Sequence, residues 1–128
     1  MRWLRNVNGY TPDDPAGTGG ITTVQQGAWT RNIQAQPTLA PRSFDAYVVG
    51  GTSSNTVTVE IHGSNSPLAS IGSNTLIGTI SIVLGAANSN GVTGYGRLPD
   101  LAAVPYDFVC QNVTAIPSGT LYTMMGGV

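Results

Sequence analysis

The groups in this chain that could exchange protons or hold a metal are few: one His, one Cys, no Lys, five Arg and six carboxylates. His62 stands two residues from Glu60 in Val57-Thr58-Val59-Glu60-Ile61-His62. On an extended strand these two side chains share a face, so together they could form an acid–base couple or supply two metal ligands. Two ligands fall short of a metal site, and the pair reads as a solvent-facing strand pair. Asp13-Asp14 and Gly17-Thr18-Gly19-Gly20 fit neither a cation loop nor a phosphate loop, the latter for want of a Lys, and read as turn residues. Cys110 lies inside an apolar run and reads as a buried small hydrophobe with no disulfide partner. Asn112-Val113-Thr114 has the spacing of a glycosylation acceptor and reads as ordinary strand. No catalytic residue, metal or cofactor is expected, and the chain is read as one that binds or builds.

Short apolar and Thr-rich runs separated by Gly, Asn, Ser and Pro must carry whatever surface does the binding. Strands are expected over Val24–Arg31, Ser43–Val49, Thr56–His62, Leu68–Ile71, Leu76–Val83, Val92–Leu98, Tyr106–Ala115 and Thr120–Met125, a spacing that suits a sandwich or barrel. In Thr56–His62 the residues Val57, Val59 and Ile61 fall on a core face. Leu76–Val83 and Tyr106–Ala115 alternate less cleanly, which places them at sheet centres with both faces covered. No dozen residues keep a helical apolar period, and Leu98–Pro105 is the one stretch expected to hold a helical turn.

Charged residues make up 9% of the 128 residues and nearly cancel. Without a basic patch there is no electrostatic footing for direct nucleic-acid binding. A surface so poor in charge favours contact between molecules, which suggests that a partner normally covers much of it. No stretch is long and apolar enough for a membrane span, and Met1–Asn6 lacks the apolar run of a secretory signal, so synthesis in a cytoplasm is expected. Trp29, Tyr47, Tyr95, Tyr106 and Tyr122 are numerous enough to stack on sugar rings if several share an exposed face, core packing being the alternative.

The length allows one domain. Residues 1–25 are rich in Pro and Gly and read as an extended arm leading into a β-sandwich over residues 26–128. Trp3 and Leu4 are costly to leave in water, so Arg2, Trp3, Leu4 and Arg5 are the expected anchors of that arm, on its own domain or on a neighbouring subunit. Met124 and Met125 near the C-terminus are flexible apolar side chains suited to an irregular partner surface.

Read together, the strand ending in HGSN (His62–Asn65), the LIGTISI strand (Leu76–Ile82) and the PYDFV…NVTAI strand (Pro105–Ile116) leading through SGT to the last strand resemble the small jelly-roll decoration, or cementing, proteins of tailed-phage capsids. The resemblance covers roughly Ser43 to Met125. It implies an all-β, single-domain antiparallel sandwich of jelly-roll type with an irregular N-terminal arm. It also implies a non-enzymatic virion protein on the capsid surface, partnered by the major capsid protein and by copies of itself as dimer or trimer, with loop residues near Ser64-Asn65 and Asn88-Ser89-Asn90 facing capsid or medium. A tail or head-fibre connector and a carbohydrate-binding β-sandwich are the alternatives.

Overall fold

The computed structural model describes residues 2–3, 20–27, 29–31, 41–66, 68–72, 75–99 and 106–127. The elements are β1 (Arg2–Trp3), β2 (Gln25–Gln26), β3 (Thr30–Arg31), β4 (Pro41–Val49), β5 (Thr56–Ser64), β6 (Leu76–Val83), β7 (Val92–Pro99), β8 (Phe108–Ala115) and β9 (Thr120–Gly127). All pairings are antiparallel, and no α-helix occurs among the described residues.

One sheet runs β1-β9-β4-β7, and the other runs β2-β8-β5-β6 with β3 also on β8. Gln25 and Gln26 lie opposite Val113 and Asn112, while Thr30 and Arg31 lie opposite Val109 and Phe108, so β2 and β3 are two halves of one edge strand. Counted as one, they leave eight strands that pair first with last: β1 with β9, β2/β3 with β8, β4 with β7, β5 with β6. A long antiparallel ribbon rolled up in this way is a jelly roll. The expected fold class is therefore the one observed.

Two sheets pack face to face because alternate positions along the strands are apolar. Phe44, Ala46 and Val48 of β4, Val57, Val59 and Ile61 of β5, Ile80 and Ile82 of β6, Val109 and Val113 of β8 and Leu121 of β9 are buried together with Ile21 and Leu84. At the β6–β7 edge the inner positions of β7 are Gly94 and Gly96, and Ile82 and Ile80 fill the space that their side chains would occupy. Gln111, facing the core beside Ile61, is fully buried with neither amide atom hydrogen-bonded.

Six strand expectations agree within a few residues. Val24–Arg31 is split at Gly27, whose N–H bonds Gln111 O. Leu68–Ile71 is not a strand; Leu68 sits 90% exposed on a turn over the second sheet. The central placement of Leu76–Val83 is corrected as well: β6 is an edge strand, with Thr79, Ser81 and Val83 exposed and Ile80 and Ile82 buried. Its alternation was masked because Val83 and Leu76 are apolar but face water. β8, by contrast, is central, between β2/β3 and β5. Leu98 and Pro99, expected in a helical turn, belong to β7, and residues 100–105 of that stretch lie outside the described residues.

Within residues 1–25, Arg2–Trp3 pairs with the end of β9, and Ile21 is fully buried and bridges Leu121. Arg2–Trp3 and Ile21 are thus tied to the first sheet, and Gln25 to the second.

Candidate functional site

Side chains alternate along β4, so burying Phe44, Ala46 and Val48 turns Asp45, Tyr47 and Val49 to the outer face. Register then sets their neighbours. Tyr47 lies opposite Tyr122 on β9 and Tyr95 on β7, and Asp45 lies opposite Met124 and Arg97. Three tyrosines consequently stand in one row across adjacent strands. Tyr47 and Tyr122 stack, with ring centroids 5.2 Å apart and planes 18° from parallel, the offset geometry that aromatic pairs favour. Tyr95 is 57% exposed.

Asp45 is buried on this face, and two neighbours make that tenable. Arg97 donates Nε–H to Asp45 Oδ1 at 2.7 Å, and the Tyr95 hydroxyl donates to the same oxygen. Hydrogen bonding to the carboxylate holds the Tyr95 hydroxyl above the usual phenol range, with burial adding to it. Burial, then the nearby Tyr122, raises Tyr47 in the same direction. The face is thus aromatic and hydroxyl-bearing, and its buried acid is matched by a half-exposed guanidinium.

Of the Glu60–His62 pair, expected to face solvent, Glu60 is partly exposed and His62 is buried. His62 is 2% exposed, with Nε2 3.0 Å from Glu60 Oε1 and Nδ1 2.8 Å from Thr75 Oγ1. Cys110 lies opposite His62 on β8. Its thiol donates to Gly27 O at 3.0 Å, and burial pushes it up to about 11, which suppresses the thiolate that nucleophilic or metal chemistry needs. With both His62 nitrogens already engaged, no base faces that sulfur. Among the described residues no three His, Cys, Asp or Glu come together to hold a metal.

Of the expected anchors, Arg2 and Trp3 lie on β1 beside Gly127 and Gly126 of β9, the strand that carries Met124 and Met125. Four of the six positions therefore gather at one end of the first sheet; Leu4 and Arg5 lie outside the described residues. Asn65 and Asn88-Ser89-Asn90 are exposed, Ser64 less so, but antiparallel β5 and β6 put the two groups at opposite ends of the sandwich. The loop at the Asn88 end is ordered by Asn88 Oδ1, which accepts from Asn90 N and Val92 N. Trp29 and Tyr95 belong to different sheets, and the Trp29 indole is tied to Ala69 O at 2.7 Å. The Asp45–Tyr95–Arg97 cluster was not singled out from the sequence, although the period-two pattern of Phe44-Asp45-Ala46-Tyr47 and Gly94-Tyr95-Gly96-Arg97 carried it.

Compared with known protein families, curated proteins and solved structures, the chain matches none.

Proposed function

We propose that the protein is a non-enzymatic structural component of a tailed-phage virion that attaches to the outer surface of the capsid and stabilises the shell. The observation that carries this reading is the row Tyr122–Tyr47–Tyr95 on the outer face of the first sheet, with Tyr95 exposed and the buried Asp45 paired with Arg97. Tyr and Arg are the residue types that protein interfaces concentrate, and a face with little net charge can be desolvated against another protein at small cost. The major capsid protein is the partner in this reading, and repeated weak contacts from many copies add up through high effective concentration.

Glycan binding is less well supported by the same row. Tyr47 and Tyr122 spend a ring face on each other, so the pair offers edges and hydroxyls where a sugar would need open flat faces. Trp29, the other candidate platform, directly precedes β3 of the other sheet.

Purified virions test the proposal through the copy number and position of this chain, by quantitative mass spectrometry with cryo-microscopy of the particle. Many copies spread over the shell, with the tyrosine row turned to capsid protein, is the expected result. A few copies at the neck or tail, or none, overturns it in favour of a connector or a free binding module.

A further inference from the structure

His62 is buried with both ring nitrogens engaged, to Thr75 Oγ1 at 2.8 Å and to Glu60 Oε1 at 3.0 Å. Thr75 Oγ1 has two further contacts: it donates to Gly72 O at 2.7 Å and accepts from Gly72 N at 3.2 Å. A hydroxyl carries one hydrogen. With that hydrogen on Gly72 O, Oγ1 can only accept from Nδ1, and an ionised Glu60 can only accept from Nε2. All four contacts coexist only when both ring nitrogens carry hydrogen.

A neutral ring carries one hydrogen, so one contact must change. The bond to the carboxylate is the stronger one and keeps Nε2–H. Nδ1 then becomes an acceptor, and the Thr75 hydrogen rotates onto it from Gly72 O, with no heavy atom moving. Between Thr75 and Gly72 the bonds Thr75 N–H to Gly72 O at 3.1 Å and Gly72 N–H to Thr75 Oγ1 at 3.2 Å are kept, and the hydroxyl's bond to Gly72 O is lost.

We propose that His62 and Thr75 form a proton-operated latch on Gly72, closed onto its carbonyl by the Thr75 hydroxyl when the imidazole is charged and slackened when it is neutral. The described residues before Gly72 are fastened separately by the Trp29 indole on Ala69 O, by Ser66 N on Ser64 Oγ and by Leu68 N on Ser66 Oγ. The latch therefore acts on the Gly72–Thr75 end, where the chain enters β6. Among the described residues, the other titratable and charged groups around His62 are Glu60 on its own strand, Cys110 opposite on β8, Tyr106 over Gly63, exposed Asp107, whose amide bonds Asn65 Oδ1, and, by strand position, Arg31 opposite Phe108. The Cys110 hydrogen is committed to Gly27 O, which leaves Glu60 as the acid in contact with the ring.

The test is an NMR titration of the full chain that follows the His62 ring nitrogens together with the Gly72 carbonyl carbon. The expected result is a doubly protonated ring on the acid side, the Nε2–H tautomer on the basic side, and a Gly72 carbonyl shift with the same midpoint as the ring. Thr75→Ser keeps that coupling, while Thr75→Val loses it and leaves the His62 titration in place. An Nδ1–H tautomer on the basic side, or a Gly72 carbonyl that does not follow the ring, overturns the proposal. The wild-type titration decides alone if Thr75→Val fails to fold.

Discussion

Asp45 and Arg97 face each other across β4 and β7 with Oδ1 and Nε 2.7 Å apart, the carboxylate 2% and the guanidinium 45% exposed. A buried acid cannot be left without donors, because its desolvation is then uncompensated. The outer face of the first sheet is organised around meeting that demand: Tyr95 and Arg97, two apart on β7, both reach Asp45 Oδ1.

Arg97→Ala removes a charged donor to Asp45 Oδ1 and is expected to lower the unfolding free energy by about 1–3 kcal/mol, the cost of under-satisfying a buried polar group. Urea denaturation of the variant beside the parent chain measures it. A loss below about 0.5 kcal/mol would place the pair among ordinary surface ion pairs instead.

The Tyr47–Tyr122 stack predicts two separable effects. A double-mutant cycle with Tyr47→Leu and Tyr122→Leu should return a coupling of about 0.5–1.5 kcal/mol in stability. If the row is the shell-binding face, the same variants should also occupy particles at least about tenfold less well, since a central aromatic contact in an interface is worth about 2 kcal/mol or more. Full shell occupancy by a folded double variant would move the interface elsewhere on the molecule.

Alternation and turn residues made the strands legible because Val57, Val59 and Ile61, or Phe44, Ala46 and Val48, repeat with the strand's own period. Position within a sheet was not legible. Nothing in Leu76–Val83 marks an edge, since its exposed side carries Val83 beside Thr79 and Ser81. The tyrosine row depends on register, which joins residues such as Tyr47 and Tyr122 that lie far apart in the chain, and a single strand's pattern does not encode it. His62 was misjudged for a related reason: its strand face is polar, but the ring is buried and bonded to Thr75, which precedes the next strand.

Gly96 allows β7 to approach β6 closely. A Cβ built there would lie 2.4 Å from Ile80 Cγ2 and 3.1 Å from Ile82 Cγ1, both buried side chains with little room to give. Gly96→Val is expected to cost about 1–3 kcal/mol by overpacking. Gly85, with nothing within 4 Å of its Cβ position, is the control, and Gly85→Ala should stay within about 0.5 kcal/mol. Thermal unfolding of the two variants side by side distinguishes them.

Gln111 buries an amide with no hydrogen bond to either end. Replacing it with Met, of similar length and without the polar atoms, should stabilise the fold by about 1–2 kcal/mol. A destabilised Gln111→Met would show that the amide is satisfied in solution, with an ordered water the simplest partner.

Alkaline pH should weaken the fold, and the sign follows from where protons leave first. Burial raises the Cys110 thiol to about 11 in the folded chain, whereas an unfolded thiol ionises near about 8.5. Between those values the unfolded state binds fewer protons than the folded state, so stability falls as pH rises. Tyr47 and Tyr95 are also raised and add a loss of the same sign above about pH 10. Urea midpoints taken from about pH 8 upward should therefore decline, first through Cys110 and then through the tyrosines. Cys110→Ala should flatten the part of the curve between about pH 8.5 and 10 and leave the steeper part above it. A wild-type midpoint that stays level across this range would mean that the thiol reaches solvent in the folded protein.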